Sequence, residues 1–291
     1  MNKFLSLLIV TIIFNLRLQA QISTPLPSPA GSVSSTVGLT NIKIDYFRPK
    51  MKGRKIFGKG EGYLVPFGKT WRSGANSGSK ISFSTDVMIG DKNVAPGEYM
   101  IYTIPGAKDW TFMLYSDMSL GGNVNAYDES AEVTRITVKS IELGEKIKTL
   151  TINISDISED NTSANIELAW ENTSIKVPIS VDYHDVVMKD IANKTKVNPN
   201  NLVSAARYYN SINENLEQAL LWMDEYLAEE NNSDQFWNLY VKAEILSKLG
   251  KKKEAIAVAE DSKMKASNSP AGDFGYVKRN ETLIKSLSAN K

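Results

Sequence analysis

The densest chemical cluster in this sequence is basic. Arg48, Lys50, Lys52, Arg54 and Lys55 lie close together, and Trp71, Arg72 and Asn76 follow. Arginine offers a planar fork to carboxylate or phosphate, tryptophan a stacking face and asparagine a hydrogen-bonding tip that both donates and accepts. Gly53, Gly58, Gly60, Gly62, Gly68, Gly74 and Gly78 are spread among them. A long glycine-rich connection between strands is where a rigid scaffold presents function. The pattern predicts a site for a small polar or anionic ligand at Arg48, Lys52, Arg54, Trp71, Arg72 and Asn76. The competing reading is architectural: Trp71 and Phe57 plug one end of a domain, and the cations are solvated or paired with acids.

Other chemistries find less support. Gly68-Lys-Thr70 matches the end of a phosphate-binding loop, but the first glycine that loop requires falls on Tyr63, and a strand-like Trp71-Arg72 follows where a helix should begin. His184, the only histidine, sits between Asp182 and Asp185 as a conceivable base or half of a metal site, but a lone histidine excludes two-histidine zinc motifs. Ser77 has Ala75 two residues before it, so the nucleophile elbow is missing. Asp156, Glu159, Asp160 and Asn161 lack calcium-loop spacing. The chain has no cysteine, which removes disulfides, thiol catalysis and cysteine metal sites together. No metal or cofactor is expected. A hydrolase of envelope glycan or peptide, using carboxylates that the spacing does not single out, is the alternative to a binding module.

The elements that must position these residues come in two kinds. From Gly31 to about Tyr183 the pattern has period two: residues 41–48, 80–84, 132–139, 148–155, 165–170 and 174–181 alternate polar and apolar side chains. Pro96-Gly97 and Pro105-Gly106 punctuate residues 98–103 and 109–115 as a hairpin, and residues 155–162 form a second hairpin loop. Pro178 belongs at an edge or a bulge, because it cannot donate to a ladder. About nine or ten short strands without a long intervening helix predict an antiparallel, jelly-roll-like β-sandwich.

After Asp185 the period becomes helical: Asn198-Pro-Asn opens a helix through Leu202 to Ile212, and others are expected over 214–230, 233–249 and 251–266 with a last one through Leu287. Leu216-Glu-Gln-Ala219-Leu matches Lys253-Glu-Ala255-Ile at a spacing of 36 residues between the alanines, near the tetratricopeptide period of about 34. An α-helical tetratricopeptide-like domain of about two degenerate repeats is expected. Its aromatics Tyr209, Trp222 and Trp237 are candidate anchors for an envelope protein partner, against the ordinary expectation that aromatics at helical spacing are core.

The first twenty residues carry Lys3, an apolar run from Phe4 to Leu16, and Ala20 before an expected cut ahead of Gln21. This is the pattern of a secretory signal peptide, too short for a membrane anchor. The expected organisation is a signal peptide over 1–20, an extended leader over 21–30, a β-sandwich over 31–184 and a helical domain over 185–291. The product would be periplasmic or secreted, with no membrane span after cleavage. The full chain has 34 Lys+Arg against 33 Asp+Glu, a balance that leaves no electrostatic footprint for nucleic acid.

Tyr46-Phe-Arg-Pro49, residues 52–58 (Lys-Gly-Arg-Lys-Ile-Phe-Gly), Leu64-Val-Pro-Phe-Gly68, Trp71-Arg-Ser-Gly-Ala-Asn76 and Pro96-Gly-Glu-Tyr99 occur in that order. Taken together over about residues 31–180, they resemble the domain-of-unknown-function family 2911, an exported bacterial family. The resemblance implies a domain boundary but no activity, substrate or catalytic residue. Some members are similar in carrying tetratricopeptide-like helices at the C-terminus.

Overall fold

The computed structural model describes residues 24–195, 198 and 200–289. The expected signal peptide lies outside them. The chain divides into two units, one ending at Tyr183 and the other beginning at His184.

The first unit holds eleven strands: β1 (Ala30–Val37), β2 (Thr40–Phe47), β3 (Phe57–Gly58), β4 (Val65–Pro66), β5 (Ser79–Phe83), β6 (Val87–Ile89), β7 (Lys92–Val94), β8 (Gly97–Ile104), β9 (Asp109–Tyr115), β10 (Glu132–Ser155) and β11 (Ser163–Ser180). Nine of them form one antiparallel sheet in the order β1-β2-β5-β8-β9-β10-β11-β6-β7, and β3 and β4 make a small parallel pair. The alternation behind the strand prediction is visible in β2, where Thr40, Ile42, Ile44 and Tyr46 are buried and Asn41 and Lys43 are exposed.

The runs 132–139 and 148–155 belong to a single strand that changes partners. Glu132–Lys139 pairs with β9, and Ser140–Ser155 pairs with β11. β10 thereby carries the sheet from one layer to the other, and the layers close over one core. Ile42, Ile44, Ile81, Trp110 and Leu114 meet Ile89, Leu150, Ile166, Trp170 and Val177 in it. Each such side chain contributes about 1.5–3 kcal/mol through burial. The sheet is also stitched behind β2: Met51 N–H donates to Lys148 O at 2.9 Å and Leu150 N–H to Pro49 O at 3.0 Å. Pro178 lies inside β11, not on an edge strand. It falls between Ile175, the last residue paired to β10, and Ile179, the first paired to β6, where neither ladder uses an N–H.

The outer face of β8 and β9 is covered as well. Met100, Tyr102, Met113 and Tyr115 form a second apolar cluster beneath three 3₁₀ turns at Met118–Leu120, Val124–Ala126 and Glu129–Ala131. Tyr102 donates its hydroxyl to Gly121 O at 2.6 Å, and burial raises its pKa to about 12.

Six helices make up the described part of the second unit: α1 (His184–Lys194), α2 (Asn200–Ile212), α3 (Leu216–Leu227), α4 (Phe236–Lys248), α5 (Lys252–Ser267) and α6 (Tyr276–Ala289). Each packs on the next from α2 onward, and α4 also touches α2 and α6, which gives two layers. Ala206, Ala219, Met223 and Ala255 are fully buried where these helices approach. α4 begins at Phe236, later than the Ser233 start that capping chemistry suggests. Gln235 stands at its N-cap without a side-chain cap bond, its Oε1 accepting instead from Asn238 Nδ2 at 2.7 Å. Among the described residues no helix is long and apolar enough to cross a membrane.

Candidate functional site

The site starts from a turn. Lys52 at φ +48° and Gly53 at φ +75° follow Met51, and Arg54 N–H closes back on Met51 O at 3.0 Å. This is a two-residue turn with both central residues left-handed, a geometry that glycine and asparagine fill at little cost and lysine does not. Arg54 folds over the same turn: Nε donates to Met51 O at 3.0 Å and Nη2 to Lys50 O at 2.8 Å. These bonds hold the guanidinium while Lys50, Lys52 and Lys55 remain exposed around it.

The facing wall comes from an irregularity in β10. Between Glu142 and Ile147 β10 advances five residues while β11, from Thr173 to Glu171, advances two. From Ile147 to Thr151 it advances four against two, down to Ala169. The surplus residues are pushed out of the ladder, and exposed Lys146 and Lys148 are among them. Opposite, Glu171 sits at φ +55° and its Oε2 accepts from Ile56 N–H at 3.3 Å and Phe57 N–H at 3.5 Å.

Turn and bulge enclose an open cleft of about 690 Å³. Six cations line it, Lys50, Lys52, Arg54, Lys55, Lys146 and Lys148, with Met51, Thr149 and a single carboxylate, Glu171. Among the described residues none of the six forms an ion pair. Lys55 rests its ammonium 5.7 Å from the Tyr63 ring centroid. Elsewhere on the same sheet Lys139 reaches Asp109 and Lys176 reaches Asp156, each at 2.6 Å. With one carboxylate against six cations, the cleft carries an excess of positive charge.

Of the six ligand residues expected from sequence, Lys52 and Arg54 line this cleft; the other four do not. Arg48 lies along Gly31, where an added Cβ would come 2.8 Å from its Cδ, and its Nε reaches toward Leu150 O at 3.5 Å. Trp71 stacks on Trp170 at 6.0 Å and 20° and meets Phe57 and Trp110 edge-on, so its face belongs to the core. Arg72 donates Nη1 to Gly122 O at 3.1 Å and buries Nε without a partner among the described residues. Asn76 is exposed at φ +52°, and its carbonyl oxygen would lie 2.3 Å from a Cβ placed on Gly122. Trp71, Arg72 and Asn76 thus fasten the 3₁₀ segment and the aromatic core.

Lys146 and Lys148 escaped the sequence reading. Two lysines at period two on a strand mark one charged face, but only the pairing of residues 49–51 with 148–150 sets them beside Lys50 and Lys52 around one cleft.

The helical aromatics also divide. Tyr209 stacks on Trp222 at 5.4 Å within the helical core. Trp237 meets Phe236 edge-on and keeps 37 % of its surface exposed. His184 Nδ1 lies 2.9 Å from the Tyr208 hydroxyl on α2, and among the described residues no three acidic or histidine side chains gather as a metal would require.

No curated protein and no solved structure matches the chain. A model of a protein family of unknown function (DUF2911) matches residues 28–179, more than half of the sequence and nearly the whole sheet unit that carries the cleft. The chain belongs to the DUF2911 family.

Proposed function

We propose that this protein is an exported, non-enzymatic binding module of the bacterial periplasm that takes an anionic ligand in the cleft between the Lys52–Gly53 turn and the β10 bulge. The observation that carries the reading is six cations, without ion pairs among the described residues, around one carboxylate that accepts from two amides. A chain of nearly balanced net charge has concentrated unpaired positive charge in a single concavity, which favours anions by focusing the local potential. The signal-like residues 1–20 support export. The helical unit, read as tetratricopeptide-like, is the surface for an envelope protein, with half-exposed Trp237 as the anchor best placed to reach one. The hydrolase alternative has less support, because it needs two free carboxylates at one pocket: the cleft offers only Glu171, and in the concavity lined by Asp45 and Glu98, Asp45 is paired with Lys43 at 2.7 Å.

The test is thermal stability against a panel of phosphates and carboxylates, both monomeric and polymeric. Ligand at about 100 times its Kd should stabilise the chain by about 2.7 kcal/mol, a rise of several degrees in Tm that Lys52→Asn/Lys148→Thr removes. No rise with any anion would overturn the reading. Export is checked separately by the N-terminus of periplasmic protein, expected at Gln21.

A further inference from the structure

Resting on the anion-binding reading above, we infer that the ligand of this cleft is an extended polyanion, an acidic polysaccharide, and not a compact anion. A compact phosphate or carboxylate is held by donors that converge on one point, usually backbone N–H groups or buried side chains. Here Lys50, Lys52, Lys55, Lys146 and Lys148 are all exposed, and Arg54 spends Nε and one Nη2 bond on its own turn. The cations come instead from two segments, residues 50–55 and 146–148. Lys146 and Lys148 are two residues apart along β10, a separation of roughly 6–7 Å in extended chain. Lys50 and Lys52 line the same cleft, and the antiparallel bridge of Lys50 to Thr149 sets the two segments side by side. Charge spread over two neighbouring segments, and not converging on one point, matches a ligand whose own charge is spread along a thread.

The lining also chooses among polyanions. It contains no aromatic residue, whereas single-stranded nucleic acid is gripped by stacking its bases on aromatic rings. Met51, its one large apolar side chain, is buried, so the cleft has no apolar face to set into a bilayer. A concavity walled on two sides admits a chain better than it meets a flat lipid surface. An acidic glycan fits what remains: repeated carboxylate or sulfate groups for the ammonium walls, and ring hydroxyls that need no stacking platform.

The experiment measures binding of the full chain to a heparin oligosaccharide and to oligogalacturonate, against galacturonate monomer and inorganic phosphate. Single-stranded DNA and phosphatidylglycerol vesicles complete the panel. With about four cations engaged, affinity for the glycans should fall about 100-fold between about 50 and about 200 mM salt. Lys50→Thr/Lys146→Thr/Lys148→Thr should abolish it, and Lys146→Arg/Lys148→Arg should keep it. Lys92→Thr/Lys108→Thr, exposed cations outside the cleft, should leave it unchanged. If monomer or phosphate binds as tightly as the polymers and the triple variant removes that binding, the polysaccharide inference falls and the anion site stands. Equal or tighter binding of DNA or vesicles also overturns the glycan assignment. If no anion binds, or binding survives in a folded triple variant, both readings fall.

Discussion

Two turns of the same glycine-rich segment, residues 50–55 and 71–78, have similar residue types and opposite fates. In the second, nearly every group is committed. Trp71 exchanges two backbone hydrogen bonds with Thr103 at 2.7 and 2.9 Å, Ser79 Oγ donates to Ser73 O at 2.7 Å, and Arg72 reaches Gly122. In the first, Arg54 is the one cation whose side chain is held by hydrogen bonds, and among the described residues the lysines around it have no carboxylate partner. An arginine beside a tryptophan is therefore architecture here. On the proposed reading the lysines around the strained turn are the groups left available to a ligand, because among the described residues none of them is ion-paired.

The largest expected effect tests this division directly. Trp71→Ala should destabilise the chain by about 3–5 kcal/mol, because it removes a ring packed among Phe57, Trp110 and Trp170. The triple cleft variant Lys50→Thr/Lys146→Thr/Lys148→Thr should stay within about 0.5 kcal/mol per substitution. Urea unfolding of the two proteins decides the matter. A cleft variant as unstable as Trp71→Ala would mean that the lysines are structural.

A smaller contrast separates two glycines. A Cβ on Gly122 would fall 2.3 Å from Asn76 O and 3.0 Å from Arg72 Cδ. Gly122→Ala should cost about 1–3 kcal/mol as the two segments are forced apart. Around Gly53 there is open space, and only its φ of +75° resists a side chain, so Gly53→Ala should cost about 1–2 kcal/mol. The midpoints of denaturant curves rank them. Only Gly53→Ala should also weaken anion binding, since it distorts one wall of the cleft.

Much of the sheet was legible because its signal is local. The alternation of residues 41–48, 80–84 and 165–170 recurs as β2, β5 and part of β11, and the Pro105-Gly106 turn joins β8 to β9 in the expected hairpin. The continuity of β10 was not legible, since its exposed middle from Ile141 to Thr149 breaks the alternation where the strand bulges. The helix α1 was hidden for a related reason: it buries only Ile191 and so has little periodic face. The site was half legible. Lys52 and Arg54 announce themselves by density, but Lys146 and Lys148 join them through a pairing almost a hundred residues away in sequence. Trp71 and Arg72 resemble ligand groups in sequence, and tertiary packing alone reveals what they touch.

Lys52 sharpens the comparison at a finer scale. Its φ of +48° makes a lysine costly at this turn, and Lys52→Asn would create the Asn-Gly pair that such turns favour. The variant should gain about 0.5 kcal/mol of stability while losing affinity for anions. Calorimetry and a binding isotherm on one preparation test both halves. A loss of stability would show that the lysine side chain supports the fold and would return the turn to the architectural class.

The smallest effect lies at the far end of the two strands that build the cleft. Asp160, in the β10–β11 loop, accepts from the Ser158 hydroxyl at 2.6 Å and from the Thr162 N–H and hydroxyl at 3.1 and 2.8 Å. Those bonds, the Ser158 hydroxyl foremost, lower its pKa from 3.8 to about 2. A carboxylate depressed in the folded state stabilises it above the unfolded value, and that contribution is lost as pH falls through the folded value. Asp160→Asn keeps an acceptor oxygen but cannot ionise. The Tm difference between the chain and this variant should therefore be constant above pH about 4 and shrink between about 4 and about 2. The triple lysine variant should show no such convergence over the same range, because among the described residues the three lysines it removes have no carboxylate partner. If the lysine variant does converge on the parent chain as acid is added, an ion pair has been feeding on those cations and the cleft is not free to receive an anion.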